Sequence, residues 1–239
     1  TPIPPSSMPP RPLFPFLVVW LLLGTHSPSI TAQLAVIKSP KKLTESIRNN
    51  PACALLELKE LIPGIQYDLR YADTNNFVNR AMYPTHTNIT FLRRDPARAL
   101  QKVQAELAAS GLGLKIWDAY RPYAVTVAFW ELIGDERYVA NPAKGSGHNR
   151  GLAVDLTVIQ LNTGTELPMG TGFDHFSDTA HQDFTQLPEE CLQNRQLLKQ
   201  TMTKHGFLPY AEEWWHFSWP NPQLYEVLNI PFHKIKRKH

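Results

Sequence analysis

The sequence predicts an α+β fold, a small mixed or antiparallel sheet with flanking helices, on two observations. Helical and strand patterns mix along the chain without a regular βαβ alternation. The strand-like runs are short and apolar, and no internal repeat is visible. A length of 239 residues suits one generous domain or two small ones. An apolar fraction of 43% and a net charge of +3 describe an ordinary globular protein. No block of like charge is long enough for a nucleic-acid surface, and the basic tail from His233 to His239 reads as a solvated terminus, so no nucleic-acid partner is expected.

The elements follow in order. Arg11, the apolar run Leu13–Leu23 and the small residues up to Ala32 have the layout of a secretory signal peptide, residues 1–32. The run is too short for a transmembrane helix, which needs about 20 apolar residues, so no membrane span is expected in the mature protein. Met8 is a candidate initiator, and cleavage near Ala32 would leave an exported protein, periplasmic or secreted. Residues 33–54 read as a polar lead-in, with Lys38 to Lys42 and Asn49-Asn50-Pro51 as breakers, and residues 55–239 as the functional domain. Gln66 to Tyr71 alternates and reads as a strand. Asp95 as N-cap and Pro96 at the first helical position start a helix that Gly111 ends. Its Leu100, Val103 and Leu107 form an apolar stripe. A strand over 112–117, a helix over 122–133 and a central strand over Gly151–Ile159 come next. Residues 161–186 read as a long loop lying across a site. A helix over Glu189–Lys204 and short strands over 207–210 and 214–219 complete the chain. Cys53 and Cys191 are compatible with one disulfide or with two buried thiols.

The chemistry is concentrated in two stretches. Ser146-Gly147-His148-Asn149-Arg150-Gly151-Leu152-Ala153-Val154-Asp155 places a histidine and a carboxylate seven residues apart. Glu212-Glu213-Trp214-Trp215-His216-Phe217 supplies a second histidine with carboxylates just before it. Two histidines and one carboxylate are a common ligand set for a catalytic zinc, and a further carboxylate can serve as general base. Asp155 lies in an apolar strand, where an ionised carboxylate is costly without a partner. Residues seven apart face opposite sides of a regular strand. His148 and Asp155 can therefore converge only if the chain bends, and Gly151 is the expected bend. The same parity demands a turn or bulge between Glu213 and His216.

Ser146-x-His148-x-x-Gly151-x-Ala153-x-Asp155 together with Glu213-Trp214-Trp215-His216 resembles the signature of the VanX-type zinc D-alanyl-D-alanine dipeptidases. These are relatives of the zinc D,D-carboxypeptidases and of the Hedgehog signalling-domain fold. Asp68-Leu69-Arg70-Tyr71-Ala72, Asn75-Asn76-Phe77, Trp117-Asp118-Ala119-Tyr120-Arg121-Pro122 and Met169-Gly170-Thr171-Gly172-Phe173-Asp174 resemble the same family in the same order, over roughly residues 55–230. The resemblance implies one zinc ion per chain held by His148, Asp155 and His216, with Glu213 as catalytic base. Glu212 stands four residues from His216, where the family pattern has Glu at three. Arg121 matches the arginine that steadies the carbonyl oxygen as it gains charge. Asp174 matches the carboxylate for the substrate's ammonium, with Tyr71 beside it, and Ser146 the serine near the substrate's carboxylate. Trp214 and Trp215 are expected to pack, and His175 and His181 to be loop residues.

The implied activity is hydrolysis of the dipeptide D-Ala-D-Ala. Its alternatives are a D,D- or L,D-carboxypeptidase and a non-catalytic zinc-stabilised binding module, which would need neither Glu213 nor Arg121. The export signal departs from resistance-type dipeptidases, expected in the cytoplasm, and suits either recovery of D-alanine outside the inner membrane or wall remodelling.

Overall fold

The structure, a computed structural model, describes Thr1 and residues 34–236. The expected signal peptide, Met8 and the cleavage point near Ala32 lie outside the described residues. The chain runs through β1 (Val36–Ile37), α1 (Pro40–Asn49), β2 (Leu55–Glu57), α2 (Leu58–Leu61) and β3 (Gln66–Tyr67). It continues through β4 (Phe91–Arg93), α3 (Arg94–Ala108), β5 (Leu112–Asp118), α4 (Tyr123–Ile133) and α5 (Gly147–Arg150). The last elements are β6 (Ala153–Gln160), α6 (Glu189–Lys204), β7 (Leu208–Tyr210), β8 (Glu213–Ser218) and β9 (Val227–Leu228). Among the described residues no helix is long and apolar enough to cross a membrane.

The main sheet has five strands in the order β3-β5-β6-β8-β7. Only β3 and β5 are parallel; the other pairs are antiparallel. β6 is central because Ala153 to Ile159 are all buried and need neighbours on both faces. α3 and α6 pack on this sheet and on each other, with Leu100, Val103 and Leu107 of α3 and Leu198 and Met202 of α6 in the core. The expected α+β architecture is thus the observed one.

Two register shifts place the chemistry. Ile116 pairs with Leu156, but Asp118 pairs with Asp155, so Trp117 is an extra residue in β5. A β-bulge of this kind switches which face the following residue presents. It brings Asp118 to the face of Asp155, where a regular ladder would have put it opposite Val154. On the other side, Pro209 pairs with Phe217 but Tyr210 with Glu213. On β8 the irregularity spans Glu213 to Phe217 and so includes the step from Glu213 to His216 that parity singles out.

Several local readings need correction. Residues 33–54 are not a featureless lead-in: β1 pairs with β9, and α1 starts at Pro40 and turns Leu43 into the core, with Ile47 one turn on packed beside it. The strand expected over 66–71 stops at Tyr67, and Arg70–Ala72 form a 3-10 turn that buries Tyr71. α3 starts one residue before Asp95, which lies in its first turn and pairs with Arg94 at 3.1 Å. Cys53 and Cys191 are two separate buried thiols.

Gly151 is the expected bend. It caps α5 in the left-handed region, φ +69°, and a Cβ there would lie 2.9 Å from Leu55 Cδ2 and 3.4 Å from the Arg93 nitrogen. Gly151→Ala is therefore expected to cost at least the ~1–2 kcal/mol of the left-handed conformation, read as a lower midpoint in urea unfolding. An unchanged midpoint would show that the turn tolerates a side chain and that glycine is not required.

Candidate active site

Asp155 and His216 stand directly opposite each other in the β6–β8 ladder, with Nδ1 of His216 2.8 Å from Oδ1 of Asp155. His148 arrives from the one-turn helix α5. Its Nδ1 lies 2.7 Å from the Ala119 carbonyl, which can only accept, so Nδ1 carries the proton and Nε2 presents its lone pair. That Nε2 is 3.4 Å from Nδ1 of His216 and 3.4 Å from Oδ2 of Asp155. The three donor atoms lie within 4.8 Å of one another. Ligands about 2.0–2.1 Å from a tetrahedral ion stand roughly 3.3 Å apart, so this donor set fits a zinc ion. Burial by itself would raise the Asp155 carboxyl, but the two imidazoles outweigh it and hold the group well below the usual carboxylate range. The same pairing raises the His216 imidazole against the effect of its burial.

Glu213 Oε2 is 3.8 Å from His216 Nδ1, close to the donors without being one of them. Burial raises its carboxyl; His216 opposes the shift and Asp155 adds to it. Glu212 is exposed and receives the Tyr210 hydroxyl at 3.3 Å. The structure therefore separates the two adjacent carboxylates, Glu213 beside the donors and Glu212 on the surface.

Arg121 is buried at the end of β5, with Nε 3.0 Å and Nη2 2.7 Å from Asp118 Oδ2. Its guanidinium lies 5.1 Å from the Tyr71 ring centre and 5.2 Å from that of Phe129. Burial opposes its charge, but Asp118 outweighs burial and keeps it protonated. Asp174 sits in the long loop after β6, in the left-handed region at φ +56°, and accepts the Tyr71 hydroxyl at 3.0 Å. Burial and the charge of Asp155 push its carboxyl well above the ordinary range, against the Tyr71 hydrogen bond. His148, Asp155, His216, Glu213, Arg121, Asp174 and Tyr71, with Ser146, Phe77 and Phe176, line one cavity of about 280 Å³.

Ser146 lines the cavity and also caps α5. Its Oγ accepts from the Asn149 amide at 3.1 Å, while Asn149 Oδ1 receives the Ser146 amide at 3.0 Å. Trp214 and Trp215 are buried, as expected, and Trp214 Nε1 donates to Thr171 at 2.8 Å. His175 and His181 remain outside the donor cluster. Two residues of the site were not singled out from the sequence. Asp118, fully buried, joins Arg121 and the Tyr83 hydroxyl. Its signal was present, since a carboxylate ending an apolar strand needs a cation and Arg121 follows three residues later. Asn149 donates to the Arg121 carbonyl at 2.9 Å and to Thr126 at 2.8 Å, and nothing local in the sequence announces that.

Comparison with known proteins identifies the chain's relatives. The family model described as D-ala-D-ala dipeptidase matches residues 52–235. A D-alanyl-D-alanine dipeptidase of Escherichia coli K12 is 36% identical over 178 residues, covering 74% of this chain and 91% of that protein. One from Enterococcus faecalis is 31% identical over 191 residues, 71% of this chain and 95% of its own. Among solved structures, VanYB in complex with D-alanine-D-alanine shares 18% identity at a TM-score of 0.37, covering 58% of this chain and 76% of that one. The match across nearly the whole described chain, with relatives covered almost end to end, makes this protein a member of the D-Ala-D-Ala dipeptidase family of peptidases.

Proposed function

We propose that this chain hydrolyses D-Ala-D-Ala to two molecules of D-alanine, holding one zinc ion with His148, Asp155 and His216. The observation that carries the reading is the convergence of three metal-type donors, a separate carboxylate and a buried carboxylate held by the Tyr71 hydroxyl on one cavity. When bound, zinc supplies a Lewis acid and lowers the pKa of water toward about 7. Glu213 takes the proton from the attacking water and returns it to the leaving amine, so one C–O bond forms and the C–N bond breaks. Asp118 engages Nε and Nη2 of Arg121, which leaves Nη1 for the carbonyl oxygen as it becomes negative. Asp174 and the Tyr71 hydroxyl receive the substrate's ammonium, whose lost hydration only an anion or several acceptors can replace.

Chelation is expected to abolish activity, and His148→Ala or His216→Ala to lose both metal and rate. Glu213→Ala is expected to keep zinc while losing about 10²–10⁴-fold in turnover, with Glu212→Ala close to wild type. Metal analysis beside steady-state rates decides the matter; equal losses at the two glutamates would remove Glu213 from the role of base.

Asp174→Asn is expected to reduce kcat/KM for free D-Ala-D-Ala by on the order of a few kcal/mol, at unchanged zinc content. N-acetyl-D-Ala-D-Ala, without the ammonium, is expected to be a very poor substrate. Equal cleavage of the acylated and free substrates by the wild type would favour a carboxypeptidase.

The order of Arg11, the apolar run 13–23 and Ala32 supports export, and with it recovery of D-alanine from dipeptide outside the inner membrane. Mass spectrometry of the protein from its producing cells is expected to find an amino terminus near Gln33. An intact amino terminus in the cytoplasmic fraction would end that reading.

A further inference from the structure

Arg195 is a buried cation of α6, and among the described residues no carboxylate stands within ion-pair distance of it; its guanidinium is spent on the loop between β6 and α6. Nε donates to the Met169 carbonyl at 2.6 Å, and Nη2 reaches Thr171 Oγ1 at 3.4 Å. The same Nη2 donates to the Thr179 carbonyl at 2.9 Å, and Nη1 to the His181 carbonyl at 3.2 Å. Met169 and Thr171 lie on the leg that enters the Asp174 segment, and Thr179 and His181 on the leg that leaves it. One planar fork thus ties both legs together at the base of the loop. Burial lowers Arg195 only to about 10, so it stays charged at neutral pH.

The clamp is connected to the catalytic strand. Thr171 Oγ1 also receives Trp214 Nε1 at 2.8 Å, and the Arg195 guanidinium stands 5.6 Å from the Trp214 ring centre. Trp214 lies between Glu213 and His216. Asp174 itself is held at its tip by Tyr71 in a left-handed conformation, which persists only where the surroundings enforce it.

We propose that Arg195 is a positioning residue for substrate recognition, fixing the two legs of the 169–181 loop so that Asp174 meets the substrate's ammonium beside the catalytic strand. This rests on the reading of Asp174 as the ammonium's partner. Arg195 touches neither substrate nor metal donors, and its effect passes through the loop. The fork geometry matters more than the charge, because a lysine's single ammonium cannot span four acceptors on two legs.

The test is a double-mutant cycle on the zinc-loaded full chain with D-Ala-D-Ala as substrate. Arg195→Met is expected to raise KM by about tenfold to 10²-fold, the scale of a misplaced binding group, with kcat changed only a few-fold and zinc content unchanged. Arg195→Lys is expected to rescue little of that KM. In an Asp174→Asn background, Arg195→Met is expected to add almost nothing to KM, since the group it positions is gone. Multiplying effects, full rescue by lysine, or a loss confined to kcat would each overturn the proposal. Should Arg195→Met not fold, Arg195→Lys and Thr171→Val carry the same cycle, each removing part of the clamp and each expected to raise KM in the same direction. If Asp174→Asn alone leaves KM unchanged, the ammonium reading fails instead, whatever Arg195 does.

Discussion

A carboxylate buried in the middle of a sheet is the constraint on which the site depends. Removing Asp155 from water costs several kcal/mol unless positive charge is supplied nearby. Two imidazoles face it, His216 at hydrogen-bond distance, and each is delivered by a different piece of geometry. His216 is placed by the β6–β8 register, which sets it straight across from Asp155. His148 is placed by a one-turn helix that Gly151 folds back on the start of β6, and the Ala119 carbonyl fixes its ring. A divalent ion at the meeting point of the three donor atoms would supply the positive charge that an imidazole presenting its lone pair does not, so the cost of the buried carboxylate and its suitability for metal binding belong to one arrangement.

The neighbouring strand shows the opposite solution. Asp118 pairs with Asp155 in the ladder, and two ionised carboxylates on one buried face would repel each other. Arg121 neutralises Asp118 with a charge that cannot be lost near neutral pH, which leaves Asp155 as the carboxylate that shares the imidazoles. The bulge at Trp117 makes this division possible, since without it Asp118 would face the other side of the sheet. Asp118 also lies 3.5 Å from His148 Nδ1. One buried carboxylate therefore holds the residue assigned to the developing oxyanion and stands beside the ring that the Ala119 carbonyl fixes.

Much of this was legible because strand parity is strict. An odd spacing between residues that must share a face demands an irregularity, and both irregularities occur where that logic puts them, at Gly151 and inside β8. What parity cannot reach stayed hidden. Tyr71 ends a run that alternates like a strand, yet the chain turns there and sends its hydroxyl to a carboxylate 103 residues away. The lysine-rich stretch before residue 50 obscured α1, although Leu43 and Ile47 have the spacing of one helical face. Arg195 belongs to a helix whose boundaries the sequence predicted, but the loop carbonyls it serves become its neighbours only in the folded chain.

The site is thereby divided between two kinds of structure. The donors and Glu213 stand on strands and on a helix capped from both ends, elements whose packing holds side chains to narrow positions. The carboxylate assigned to the substrate's ammonium stands on a loop, the part of a fold most tolerant of change. On a loop alone a carboxylate beside Asp155 would be driven toward water or toward protonation, by repulsion and by the cost of burial. The Tyr71 hydroxyl at its tip and the guanidinium fork at its base oppose that tendency from two directions. Recognition can in this way occupy the more variable segment and still be held against the fixed geometry of the strands.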